Sequence, residues 1–258
     1  MQAANSTIAL DAHPEKPLVY SSPLILERRQ RLLQEARRMI ADEGIEGFSV
    51  RKLCQRAEVA PRTLYNAFQN KDRVIAFAIR EAWNDFTQYV RYRTEPATVP
   101  GILDRTIAVN RRNFRVRNYT RAVCAIYFGS STPADVWQTL HDMSVTGVRS
   151  WLMVMIDRGE INPWIDPGHF ATAVANMQYT VINDWCLGRL SDDEYLPRLT
   201  ENMLVLLLGA TRGSVHEEAQ QFLMQLRETG EVPKFPAAIW SPPKDPTSSP
   251  ASDEKATG

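Results

Sequence analysis

From about residue 30 onward, apolar residues recur every three or four positions, the period of a helix packed on one side. In "RLLQEARRMIADEG" the stripe is Leu32, Leu33, Ala36, Met39 and Ile40, and Gly44 follows as a stop. "SVRKLCQRA" opens on Ser49 as N-cap and carries Val50, Leu53, Cys54 and Ala57 on its apolar face. "APRTLYNAF" places Pro61 at its first helical position and Leu64, Ala67 and Phe68 inward. "NKDRVIAFAIREAWNDFTQYV" reads as a longer helix capped by Asn70, with Asp72 favourable in its first turn. Beyond "TEPATVPG" the pattern predicts helices over 102–115, 119–128, 134–158, 169–190, 194–211 and 215–228. No stretch reads as a convincing strand, no repeat is present, and no glycine-rich phosphate loop occurs. The expected fold is all-α.

The spacing of the first helices carries the functional signal. Only "EVA", Glu58 to Ala60, separates the second helix from the third. That is the spacing of a helix-turn-helix, whose second helix is offered to a major groove. With Leu64, Ala67 and Phe68 inward, the outer face holds Arg62, Thr63, Tyr65, Asn66 and Gln69. Arg62 suits a guanine edge, and Thr63 a thymine methyl or a phosphate. Tyr65 and Asn66 suit phosphates. Lys71 stands at the next helix start, where backbone amides already favour an anion.

On these residues, residues 32 to about 83 resemble the N-terminal domain of the TetR family of bacterial transcriptional regulators. The matching run is "FSVRKLCQRAEVAPRTLYNAFQNKDRVI". The resemblance implies base or sugar contacts from Arg51, Pro61, Arg62 and Thr63, and phosphate contacts from Ser49, Tyr65, Asn66 and Lys71. Three positions depart from the family pattern. Glu58 replaces the usual turn glycine, Ala60 the usual polar cap, and Ala67 a His or Tyr that touches phosphate. The resemblance also implies a second, helical domain for effector binding and dimerisation, and most often repression of a promoter.

The implied organisation is a flexible arm over 1–23, then a DNA-binding domain over 24–80 whose last helix continues as a connector to about 93. An effector and dimer domain follows over 94–229, and a disordered tail over 230–258. The partners implied are a palindromic double-stranded operator, a second copy of the chain and a small molecule, with no cofactor, no metal and no membrane. "MLVLLLGA" (Met203 to Ala210) is apolar on nearly every side and must be covered all round. The expected dimer stripe is therefore Leu196, Leu199, Met203, Leu206 and Leu207, with Asp184, Arg189 and Arg198 as rim charges. Aromatic and Met residues crowd the second half, and polar residues among them suggest a pocket with a few fixed hydrogen-bonding groups. The candidates are Trp83 and Phe86 on the connector, and Asn110, Asn113 and Tyr127 further on. Trp137, His141, Trp151 and Gln178 complete the set. An apolar or aromatic effector fits this lining better than a sugar or nucleotide.

Composition narrows the field. The chain of 258 residues has a net charge of zero, yet residues 24–93 carry 14 basic and 9 acidic side chains, a local excess of +5. That asymmetry suits a nucleic-acid-binding module joined to something else. Cys54, Cys124 and Cys186 are far apart in sequence and form no CxxC, so neither a disulfide framework nor a zinc site is indicated. With no basic-then-apolar leader, a cytoplasmic location is expected. The histidines have no metal-ligand spacing and no serine sits in a nucleophile elbow, which argues against an enzyme. The competing reading is a helical module whose basic face binds a protein or an acidic membrane without sequence preference.

Overall fold

The computed structural model describes residues 23–240, so residues 1–22 of the arm expected over 1–23 and residues 241–258 of the tail expected over 230–258 lie outside the described residues. The first helix, α1 (Pro23–Glu43), ends at Gly44, whose φ of 70° supplies the left-handed exit that glycine tolerates best. Next come α2 (Val50–Arg56), α3 (Pro61–Phe68) and α4 (Lys71–Tyr89). Ser49 caps α2 by accepting from the Lys52 amide at 3.4 Å, and Asn70 caps α4 by accepting from the Arg73 amide at 2.9 Å. Pro61 starts α3, where a missing N–H costs nothing.

The second half consists of α5 (Val99–Asn113), α6 (Arg117–Tyr127), α7 (Ala134–Asp157), α8 (Pro167–Cys186), α9 (Asp192–Ala210) and α10 (Gly213–Thr229). Their starts follow the cap rules. Thr98 caps α5, Asp166 caps α8, and Ser191 with Glu194 forms a capping box at α9. The loop before α5 closes tightly over its first turn: a β-carbon on Gly101 would lie 1.9 Å from the Glu95 carbonyl oxygen. No helix among the described residues is long and apolar enough to cross a membrane.

Two hydrophobic cores hold the molecule together, and they do not divide at the expected domain boundary. One joins α1–α4 to α6, the first part of α7, the end of α8 and the start of α9, around Leu32, Phe68, Leu140 and Tyr195. The other joins α5, α10 and the remaining parts of α7, α8 and α9, around Leu103, Leu152 and Met203. Helices α1–α4 are therefore packed directly on the second half. Cys124 of α6 is a buried free thiol, and Cys186 of α8 is a half-buried one.

Three expectations need correction. Strands do occur: β1 (Val90–Arg91) pairs antiparallel with β2 (Ile239–Trp240). The expected tail is consequently packed from 230 to 240. Val232 is half-buried, Pro233 is buried, Phe235 packs on Phe222 at 6.3 Å, and Trp240 stacks on Phe86 at 6.1 Å. These anchors are spaced too irregularly to register as a helix or strand. Finally, Leu199, Met203 and Leu207 of α9 are fully buried within one chain, covered by α5, α8 and α10, so they are core and not a dimer seam. Leu196 and Leu206 are half-buried. Of the expected rim charges, Asp184 and Arg189 pair with each other at 2.9 Å.

Candidate nucleic-acid interface and ligand cavity

Leu64 and Phe68 are fully buried and fix the rotation of α3 about its own axis. The remaining faces follow from that register. Pro61, Arg62, Tyr65 and Asn66 are exposed, and Thr63 is half-buried. Ser49 and Arg51 are exposed at the start of α2. Lys71 opens α4 with its ammonium 5.7 Å from the Phe48 ring centre.

Charge pairing separates these residues from their neighbours. Lys52 holds Glu43 at 2.6 Å, Arg56 holds Glu35 at 2.9 Å, and Arg73 holds Asp135 at 2.9 Å. Arg51, Arg62 and Lys71 have no carboxylate partner among the described residues. Lys52, Arg56 and Arg73 are thus neutralised, and Arg51, Arg62 and Lys71 are available to an external anion.

The departures from the family pattern have visible consequences. Glu58 adopts φ 53°, so the left-handed turn is kept at the expense of strain that glycine avoids. Its carboxylate lies 3.8 Å from Arg31. Ala60 supplies no side-chain cap to α3. Ala67 lines a groove of about 290 Å³ between α3 and the start of α1, together with Ile25, Leu26, Arg28, Thr63 and Asn66. The α1 side of this groove was not anticipated. Its only sequence signal is the apolar run Leu24–Leu26, just before Arg28 and Arg29.

A cavity of about 1080 Å³ lies among α1 and α4–α8, at the upper end of the range that holds small ligands. Trp83, Phe86, Asn110, Asn113, Trp151 and Gln178 line it. Asn110 and Asn113 are already engaged. Tyr195 donates to Asn110 Oδ1 at 2.6 Å, and Asn113 Nδ2 donates to the Tyr195 hydroxyl at 2.9 Å. Gln178 has no side-chain partner among the described residues.

Tyr127, Trp137 and His141 do not reach this cavity. They form a separate stack, with the Trp137 and His141 rings 4.6 Å apart. Tyr127 donates to Asn176 Oδ1 at 2.8 Å and lies 3.0 Å from His141 Nδ1. With the phenol proton directed to Asn176, Nδ1 carries the imidazole proton and Nε2 accepts from Thr172 at 3.4 Å. Burial holds the His141 pKa below its ordinary value, which keeps the ring neutral. The reason for the separation is helical register. Thr139, Asp142, Met143 and Thr146 are the face of α7 turned to the cavity, and residues 137 and 141 lie on another face.

Several polar contacts tie α1 and α4 to α6 and α7. Arg73 of α4 makes a two-pronged pair with Asp135 at the start of α7, at 2.9 and 3.1 Å. Tyr119 of α6 donates to the Arg37 carbonyl of α1 at 3.0 Å, and Asn118 to the Ala41 carbonyl at 2.7 Å. Burial pushes the Tyr119 phenol up to about 12, so it stays protonated near neutrality.

Comparison with known proteins agrees with this geometry. Residues 32–76 match the family model described as bacterial regulatory proteins, tetR family. Among solved structures, the chain is similar to RolR in complex with resorcinol at 15% identity and a TM-score of 0.59, covering 83% of this chain and 98% of that one. It is similar to Thermus thermophilus FadR, a transcriptional repressor in complex with lauroyl-CoA, at 14% identity and 0.55, covering 70% and 94%. It is also similar to SmeT, the repressor of the Stenotrophomonas maltophilia multidrug efflux pump SmeDEF, at 16% identity and 0.52, covering 72% and 92%. No curated protein sequence matches the chain. The chain therefore has the all-α fold of TetR-family transcriptional regulators and carries their helix-turn-helix DNA-binding domain.

Proposed function

We propose that the protein is a ligand-responsive repressor. It binds a palindromic operator as a homodimer and leaves it when a small, mainly apolar molecule fills the cavity. The observation that carries the DNA-reading part is the charge pattern on one pinned helix pair. Among the described residues Arg51, Arg62 and Lys71 have no carboxylate partner, while Lys52, Arg56 and Arg73 are neutralised. In the proposed complex Arg62 and Thr63 meet base edges, with Arg51 and Pro61 beside them. Ser49, Tyr65, Asn66 and Lys71 hold phosphates and fix the register.

A single recognition helix covers too few base pairs to specify a genomic site, which argues for two copies on a twofold axis. With Leu199, Met203 and Leu207 buried within one chain, the outer faces of α8 and α9 are the proposed seam. There Val205 is 50% exposed, Leu187 just past the end of α8 is 59% exposed, and Leu206 and Leu208 are only half-covered.

Ligand release requires that the ligand bind better to a conformation with mis-spaced recognition helices. Helix α4 is the proposed coupling element, because it follows α3 directly and also places Trp83 and Phe86 on the cavity wall. The resorcinol of RolR and the lauroyl-CoA of FadR support an aromatic or acyl effector.

The test is selection of bound fragments from a genomic library at moderate salt. The proposal expects enrichment of one palindromic sequence. A helical module that binds protein or membrane through a basic face would enrich nothing, and that result would refute the regulator reading.

A further inference from the structure

Arg112 stands in the last turn of α5 and lines the cavity. Its guanidinium lies 4.7 Å from the centre of the Phe86 ring. Two other lining arginines already hold protein oxygens. Arg37 pairs with Asp85 at 2.8 Å, and Arg105 donates to the Gly101 carbonyl at 2.8 Å and to Thr94 at 3.2 Å. The Arg112 side chain has no hydrogen bond and no carboxylate partner among the described residues. Burial pulls its pKa below that of a free guanidinium, and nearby Arg37 adds to the effect. A guanidinium nonetheless stays protonated in proteins. The cavity therefore contains a partly desolvated positive charge without a counterion, an unfavourable arrangement that a bound anion relieves.

We propose that the cavity takes an organic monoanion, a carboxylate on an apolar or aromatic body, with the carboxylate held by the fork of Arg112. This rests on the reading of the cavity as the effector site. Arg37 and Arg105 direct N–H groups to protein oxygens, so the open fork of Arg112 offers a place for one carboxylate. The N–H groups of Arg112 have no acceptor among the described residues, and their fork matches a carboxylate through two parallel hydrogen bonds. The body then lies against Trp83, Trp151, Met143 and Ile102.

The test is calorimetric titration of the full chain with matched pairs below their aggregation limits. One pair is dodecanoate and dodecanol; the other is naphthylacetate and naphthylacetamide. Each carboxylate should bind about ten- to a hundredfold tighter than its neutral partner, the size expected of hydrogen bonds to a charged group. In Arg112→Gln the carboxylate should lose that advantage, and Arg112→Lys should keep part of it; thermal melting checks that both remain folded. The inference is overturned if no carboxylate binds, if the neutral partner binds equally well, or if the preference survives in folded Arg112→Gln.

Operator affinity measured in the same samples separates the two readings. A carboxylate that binds through Arg112 but leaves operator affinity unchanged supports this inference and refutes ligand release. A neutral compound that releases DNA and binds as tightly as its carboxylate supports ligand release and overturns this inference.

Discussion

The helix-turn-helix and the cavity are built in opposite ways. The reading surface comes from one short stretch, residues 49–71, in which two buried anchors, Leu64 and Phe68, decide where every other side chain of α3 points. The cavity wall comes from α1 and α4–α8, and no single residue fixes it. A surface of the first kind depends on helical register, which is a local property. A surface of the second kind depends on how six helices pack. The contrast predicts that small changes in the hairpin act sharply and all at once, whereas changes in the cavity act gradually on ligand response.

The largest effect should come from the anchors. Phe68→Ala removes a fully buried ring and should cost about 3–5 kcal/mol of stability. Thermal unfolding should show the loss, and DNA binding should fall with it. A protein that melts normally and binds DNA normally would mean that α3 is not held by this core. Next in size, Arg62→Ala should cost about 1–3 kcal/mol at one base position and relax preference there. Lys71→Ala should instead weaken all sequences alike and lower the salt slope by about one unit. Binding across a panel of single-base operator variants distinguishes the two patterns.

On the cavity side, Trp83→Ala should leave DNA binding without ligand nearly intact. The ratio of operator affinities with and without ligand should shrink, from a coupling typically of about 1–3 kcal/mol. An unchanged ratio would remove α4 from the route between the two sites. The smallest effect concerns Asp135, whose hydrogen bond from Arg73 lowers its carboxyl pKa. A carboxylate with a depressed folded pKa stabilises the protein above its ordinary value near about 3.9 and ceases to do so as pH falls through the lowered value. Asp135 is mostly exposed, which limits the contribution. Asp135→Asn should lower stability slightly near pH 7 and leave it unchanged in acid below the lowered pKa, so the acid limb flattens.

Legibility in the sequence follows the same division. The stripe of Leu32, Leu33, Ala36, Met39 and Ile40 and the caps Ser49 and Asn70 could be read directly, because helical period and capping are local. Even the strained turn at Glu58 was visible as a departure from glycine. The cavity was legible at the aromatics Trp83, Phe86 and Trp151 and at the polar Asn110, Asn113 and Gln178. Trp137 and His141 have the same composition as a pocket wall, but the rotation of α7 turns them to a separate stack. Arg112, within "NRRNFRVR", reads as an ordinary solvated charge at a helix end, and nothing local shows that it faces inward. Within the apolar run of α9, the packing of α5, α8 and α10 shows that the same chain covers Met203, Leu204 and Leu207, while Val205 stays 50% exposed.

The central claim is that α3 reads sequence, in two copies, through a register set by its buried anchors. Competition titration of the wild-type chain tests it most directly, with the selected palindrome set against a single half-site and a scrambled duplex of equal length and salt. The account predicts two chains bound per palindrome and an affinity about a thousandfold or more above the scrambled duplex, with the half-site in between. Equal affinity for all three duplexes would contradict it.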